Sequence, residues 1–352
     1  ELKAKAVAWL CEKTNKSILT LTESDYNENN LSELLMEKSY YDLNLDFYKR
    51  IHRSITGWPG GKPDSDDKAR PERSKPAKKR VLIFSPHPDD DVISMGGTFD
   101  RLVSQGHEVH VAYQTSGNIA VSNSDVLRYL EVINSTFPDC ECENDELIEI
   151  LKSSSDIINN SRIREIAATI REKESLAATR FIGIPDNQVH FLKLPFYETG
   201  TINKNLPTID DKKIISEIIT KIKPHQIYAA GDLADPHGTH KVCLDILFDS
   251  LKDLKLKTFM KDCWVWLYRG AWHEWPVHEI DMAVPMSPFQ VLRKRKAIFY
   301  HQTQKDNVMF QGDDNREFWV RTEDRNRAIA KKFRNIGMSD YTAIETFKRY
   351  HF

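Results

Sequence analysis

Three side chains in the run Ser85-Pro86-His87-Pro88-Asp89-Asp90-Asp91 have the types and spacing for chemistry. His87 and Asp90 lie three residues apart and can bind one divalent metal from a single turn. Asp89, between them, cannot point the same way as Asp90, so it is free to act on a water beside that metal. Zinc accepts imidazole nitrogen and carboxylate oxygen, and a catalytic zinc keeps a position open for water. A second cluster, Asp235-Pro236-His237-Gly238-Thr239-His240, presents two histidines at the mouth of a helix. One of them can complete a His–Asp–His set, while the other stays off the metal and polarises a carbonyl. Taken singly, the first cluster also reads as a solvated acidic turn and the second as a surface accident. Two such clusters, each after a strand, point to metal-assisted hydrolysis.

The elements around both clusters suit that reading. Val81-Leu82-Ile83-Phe84 is an apolar, β-branched and aromatic run, which predicts a buried strand before the first cluster. Phe99 to Val103 predicts a helix after it. Gln226 to Ala230 predicts a strand before the second cluster, and Lys241 to Phe248 a helix after it. An open α/β sheet places chemistry at its carboxyl edge in this way. Further strands are expected at 107–113, 188–194 and 264–268, with helices at 210–222 and 316–333. The fold class is therefore α/β: a Rossmann-like, mostly parallel sheet with a helical N-terminal appendage and a helical insertion. A nucleotide-binding role is disfavoured, because the first strand ends in His-Pro-Asp-Asp where a glycine fingerprint would stand.

The two clusters together resemble the LmbE/PIG-L superfamily of zinc-dependent N-deacetylases. That family carries a His-Pro-Asp-Asp turn after its first strand and a later Asp-Pro-His-x-x-His turn. Arg171, Glu174, Ala178 and Gly183 resemble its Arg-x-x-Glu helix, and Lys294, Ala297, His301 and Gln304 its late Lys-x-x-Ala…His-x-x-Gln segment. The resemblance covers about 78–310. It implies His87, Asp90 and His240 as metal ligands, with Zn2+ or another divalent metal bound. It implies Asp89 as the general base toward a zinc-bound water, and His237 as the group that steadies the oxyanion or protonates the leaving amine. His301 takes a supporting role. The chain departs from the family in three places. Asp91 stands where Glu is common, the turn Thr115-Ser116-Gly117-Asn118 lacks a carboxylate, and Thr239 replaces an Asp.

Composition bounds the rest. The chain has 352 residues, 40% of them hydrophobic, with a formal net charge of −2. That balance gives no electrostatic case for nucleic acid. No run of about 18 apolar residues suggests a membrane span. Five scattered cysteines suit a reducing cytoplasm. Cys140 and Cys142, set among acidic neighbours, read as surface residues. An oligomer stays open.

The expected organisation has four parts. Residues 1–56 are helical, and Glu1-Leu2-Lys3-Ala4-Lys5 resembles the final helix of glucosamine-6-phosphate deaminases. The chain starts without Met and reads as a piece of a longer polypeptide, and this resemblance implies a covalently linked deaminase-like domain upstream. Residues 57–79 read as a linker rich in charge and proline, and 80–310 as the metal hydrolase domain, with a helical insert at about 122–173. Residues 311–352 read as a C-terminal helical extension.

The expected substrate is a small N-acetylated sugar of the N-acetylglucosamine type, with 6-phosphorylation suggested by the deaminase-like start. Arg171 and Arg269 are candidates to hold an anionic group, against ion pairing with Glu174 or Glu274. Trp272 and Trp275 are candidates to stack on a sugar ring, while Trp264 and Trp266 read as core. Two other readings stand beside this one. The first is an amidase acting on another amide, such as a thiol conjugate. The second is a non-catalytic module stabilised by metal, against which the spare carboxylate of Asp89 argues.

Overall fold

A computed structural model describes residues 1–63, 76–137, 141–153 (backbone only at 141–143), 159–233, 238–270, 273–305, 314 and 316–352. Its centre is a seven-stranded sheet. The strands are β1 (Arg80–Ser85), β2 (Glu108–Tyr113), β3 (Val189–Phe191), β4 (Gln226–Ala230), β5 (Trp264–Tyr268), β6 (Met282–Met286) and β7 (Ala343–Tyr350). Their order is β3-β2-β1-β4-β5-β7-β6. β1 to β5 pair in parallel, and β7 runs antiparallel between β5 and β6.

The near-continuous apolar character of β1 follows from burial on both faces. Leu82 and Phe84 enter one core, Val81 and Ile83 the other. The first face is covered by α1 (Leu2–Thr14), α2 (Glu23–Glu28), α3 (Tyr40–Ser54), α8 (Ile209–Ile222) and α9 (Thr239–Leu254). The second is covered mainly by α4 (Asp90–Ser104) and α10 (Pro288–Phe299), with the end of α7 (Ser161–Ile182). α12 (Phe318–Asn335) serves both, with Phe318 in the second core and Ile329 and Phe333 in the first. A short helix, α11 (Gln302–Lys305), follows α10.

Between β2 and β3 stand α5 (Asn123–Thr136) and α6 (Glu141–Ser153), ahead of α7. Val126, Leu130, Leu147 and Leu151 from this pair pack on Ile163, Ala167 and Ile170 of α7, forming a small separate core. This hairpin lies where the sequence predicts a helical insert.

Two expectations are corrected. The C-terminal extension is not all helical, because 343–350 is a strand inside the sheet. Glu345 breaks its apolar pattern, yet the carboxylate is buried, accepting from the Gly97 and Thr98 N–H groups at 3.0 and 2.6 Å and from Lys294 Nζ at 2.8 Å. The start of the expected linker is also packed: Pro59 to Gly61 are buried, and Gln226 Nε2 donates to the Pro59 carbonyl at 3.1 Å. The N-terminal helices share the first core. Ile55 pairs with Ala283 in parallel, and Thr56 N–H donates to the Ala283 carbonyl at 2.8 Å. Among the described residues no helix is long and apolar enough to cross a membrane.

Candidate active site

The strand order reverses between β1 and β4, since β1 continues to β2 on one side and β4 to β5 on the other. The crevice beyond the carboxyl ends of two such strands is where open α/β sheets bind ligands. His87, Asp89 and Asp90 follow β1, and His240 follows β4, so both clusters reach that crevice.

The turn after β1 is held from several sides. Ser85 Oγ donates to the His87 carbonyl at 2.6 Å, and Thr115 Oγ1 to the Pro86 carbonyl at 2.7 Å. Arg171 donates to the Pro88 carbonyl. These bonds support a strained residue: Asp89 has φ 142° and ψ −25°, a conformation that favours glycine. Such strain costs on the order of 1–3 kcal/mol and persists only where the surroundings over-determine it. Asp90 then opens α4.

Ligand atoms of His87, Asp90 and His240 lie within 4.8 Å of one another. Asp90 Oδ2 is 3.1 Å from His87 Nδ1 and 3.1 Å from His240 Nε2. His240 and Asp90 are buried, and His87 is partly open. Burial works against the Asp90 carboxylate, but His240 and then His87 hold it below the usual range. His240 Nδ1 is 2.9 Å from the Asp232 carbonyl oxygen, so Nδ1 carries the hydrogen and Nε2 keeps its lone pair. Two imidazoles and one carboxylate, with one imidazole already oriented by a carbonyl, fit a divalent metal such as zinc.

Asp89 is buried and 3.2 Å from Arg171. Burial pushes its carboxyl upward, opposed by the Arg171 guanidinium and reinforced by Asp90, Asp91 and Glu174. Asp91 points into the core, accepting from Tyr113 Oη at 3.0 Å. Burial pushes it up to about 7.

The other expected residues fall as follows. Arg171 is only 1% exposed, with its charge engaged by Asp89 and the Pro88 carbonyl. This corrects its reading as an open anion receptor, because it braces the Asp89 turn from behind. Its alternative partner, Glu174, instead accepts from Thr303 N–H and Oγ1, both at 2.8 Å. Arg269 stacks 3.6 Å over the Trp275 ring and donates to the Gly231 carbonyl at 3.0 Å. Trp275 is buried, with Nε1 bonded to the Leu267 carbonyl, so it is not an open sugar platform. Glu274 contacts Thr346 and Asn326. His301 is buried, with neither ring nitrogen bonded among the described residues, and burial pushes it down to about 3. His237 and Trp272 lie outside the described residues, as do Cys140 and the side chain of Cys142.

Three neighbours were not anticipated. Glu198, from the loop after β3, brings a carboxylate to the turn after β2, accepting from Ser116 N–H at 2.7 Å and Ser116 Oγ at 2.9 Å. Tyr197 stands edge-on to His87, with ring centroids 6.2 Å apart. Lys204 reaches Thr239 Oγ1 at 2.6 Å and lies 5.4 Å from the Tyr197 ring. The signal for the first two was their place just after a parallel strand, at the sheet's carboxyl edge.

The family model for PIG-L, described as GlcNAc-PI de-N-acetylase, matches residues 82–250, which hold both clusters. Residues 82–250 form a PIG-L domain. A curated protein of Bacteroides thetaiotaomicron, called a glucosamine-6-phosphate deaminase-like protein, is 49% identical over 364 residues, covering 99% of this chain. The chain spans 55% of that relative's length. Its name fits the resemblance read from Glu1 to Lys5. Among solved structures, an N,N'-diacetylchitobiose deacetylase from Pyrococcus horikoshii matches with a TM-score of 0.51 at 21% identity, over 81% of this chain and 87% of that one. GalB, a 4-carboxy-2-hydroxymuconate hydratase of Pseudomonas putida, matches with a TM-score of 0.50 at 15% identity, over 78% and 96%. These two likenesses concern the fold alone, which by itself does not select a reaction.

Proposed function

We propose that this PIG-L protein is a metal-dependent amidase that removes the acetyl group from an N-acetylated amino sugar of the N-acetylglucosamine type. The observation that carries the reading is a spare carboxylate, Asp89, held in a strained backbone beside a His–Asp–His set at the sheet's switch point. A purely structural metal site needs no such neighbour.

A divalent metal, zinc in our reading, supplies a Lewis acid that polarises the amide carbonyl and makes water acidic near neutral pH. His87, Asp90 and His240 would hold it. Asp89 takes the proton from the attacking water, and its carboxylate is aimed by the Arg171 guanidinium 3.2 Å away. His237, assigned by its motif, stabilises the developing oxyanion or protonates the departing amine. Burial of Asp89, Asp90 and His240 strengthens each of these electrostatic terms.

The test is acetate release from N-acetylglucosamine and from its 6-phosphate, with zinc-loaded and chelator-treated protein compared. Metal-dependent release from either sugar supports the reading. Stoichiometric metal with no release from either sugar, or from larger N-acetylated glycans, would overturn it.

A further inference from the structure

Arg164 and Arg171 stand seven residues apart on α7, two helical turns along one face. Both are 1% exposed. Arg171 has Asp89 as counter-charge. Arg164 has none among the described residues: Nη1 donates to the Asn118 carbonyl at 2.9 Å, and Nε and Nη2 have no hydrogen-bond partner. The Asn118 Oδ1 beside it is also unpartnered. A buried, uncompensated guanidinium costs several kcal/mol, and native proteins rarely carry one without a reason. The ionisable neighbour that acts on it is Tyr197, which is not a carboxylate.

We propose that Arg164 is the receptor for a phosphate group carried by the substrate. The two unpartnered donors, Nε–H and Nη2–H, form one edge of the guanidinium, the edge that grips two oxygens of an oxyanion. The position fits the reaction centre. Arg164 bonds Asn118, and the adjacent Gly117 is packed so tightly that a Cβ there would lie 3.0 Å from the Pro88 ring and 3.3 Å from Arg171 Cζ. The turn that holds Arg164 therefore abuts the turn that holds Asp89. Seven residues of helix span about 10 Å, comparable to a hexose with a substituent at each end. Lys204, beside Tyr197 and Thr239, adds a second cation on the His87 side of the same region and favours a dianion.

This inference rests on the amidase reading for the identity of the substrate, but the anion site can be tested without turnover. The full chain is titrated with inorganic phosphate by calorimetry and by thermal unfolding, as wild type, Arg164→Gln and Arg164→Lys. Wild type is expected to bind phosphate and to unfold at higher temperature with it. Arg164→Gln should lose that response and, freed of an unpaired buried charge, unfold no lower than phosphate-free wild type. Arg164→Lys should keep a weakened response. In the amidase assay, Arg164→Gln should lower the kcat/KM ratio of phosphorylated to unphosphorylated sugar by about 10–100-fold, the worth of one charged hydrogen-bonding contact. Free phosphate should compete with the phosphorylated sugar.

No phosphate binding to wild type overturns the proposal even if the variants fail to fold. So does phosphate binding that survives Arg164→Gln, or binding that does not compete with the sugar, which would mark a resident anion. Arg164-dependent phosphate binding with no acetate release from any sugar would sustain the anion site and remove the amidase reading instead.

Discussion

The His240 imidazole donates its Nδ1–H to the Asp232 backbone carbonyl across 2.9 Å, and the Asp232 carboxylate accepts the His273 N–H at 2.7 Å. One residue thus fixes the orientation of a candidate metal ligand and ties it to the segment after β5. Groups that orient a ligating histidine typically contribute 10–100-fold to metal affinity. Asp232→Ala should release the tie to His273, let the 231–233 turn shift its carbonyl, and weaken zinc binding by about 10-fold or more. Competition against a chromophoric chelator measures this, with circular dichroism confirming the fold. Unchanged affinity would mean that the carbonyl keeps its place without the side chain.

Asp89 is best removed by Asp89→Asn. Asparagine tolerates positive φ better than most residues, so the strained turn should survive the change. Loss of a general base costs about 10²–10⁴ in rate. The expected outcome is a drop in kcat of that order with metal stoichiometry retained, read by acetate release beside elemental analysis. A variant that keeps its rate would remove Asp89 from the chemistry.

Much of this site was legible because both clusters are local. His87 to Asp90 are four consecutive residues after an unmistakable strand, and His240 lies ten residues beyond Ala230, where β4 ends. Parallel order then brings the two strand ends together. What escaped reading was non-local. Arg171 looked like an open receptor, since nothing in sequence says that Asp89 will meet it across 82 positions of chain. Glu198 brings a carboxylate to the turn after β2 from a different loop. β7 was hidden because Glu345 interrupts an apolar run, and only the fold supplies the α4 amides and the lysine that bury it. β6, with a proline at 285, showed no strand pattern strong enough to read.

The Arg171–Asp89 pair makes a stability prediction. Arg171→Met keeps much of the volume but strands a buried carboxylate. Breaking a buried pair from one side costs about 3–5 kcal/mol. In metal-free protein the variant should unfold at clearly lower denaturant than wild type, and Asp89→Asn in the same background should recover part of the loss. If the double variant is no more stable than Arg171→Met alone, the arginine acts through packing and not through its charge.

Acid should loosen the packing of the Gly60 and Lys79 segments on the sheet through His107. Its Nδ1 accepts the Lys79 N–H at 3.1 Å, and its ring packs so closely on Gly60 that a Cβ there would sit 2.1 Å from Nε2. Burial, with help from the Lys79 charge, pushes this histidine down from 6.5 to about 4. Between those values the unfolded chain binds a proton that the folded chain refuses, so stability rises with pH across the window. The contribution is fully present above pH 6.5 and is lost as pH falls toward 4. His107→Gln retains an acceptor for Lys79 but does not titrate. Urea midpoints measured from pH 4 to pH 7 should therefore climb less steeply for His107→Gln than for wild type. The difference between the two slopes isolates His107 from His190, which burial also pushes down to about 4. Parallel slopes would show that the packing of Gly60 and Lys79 on His107 does not depend on keeping this imidazole neutral.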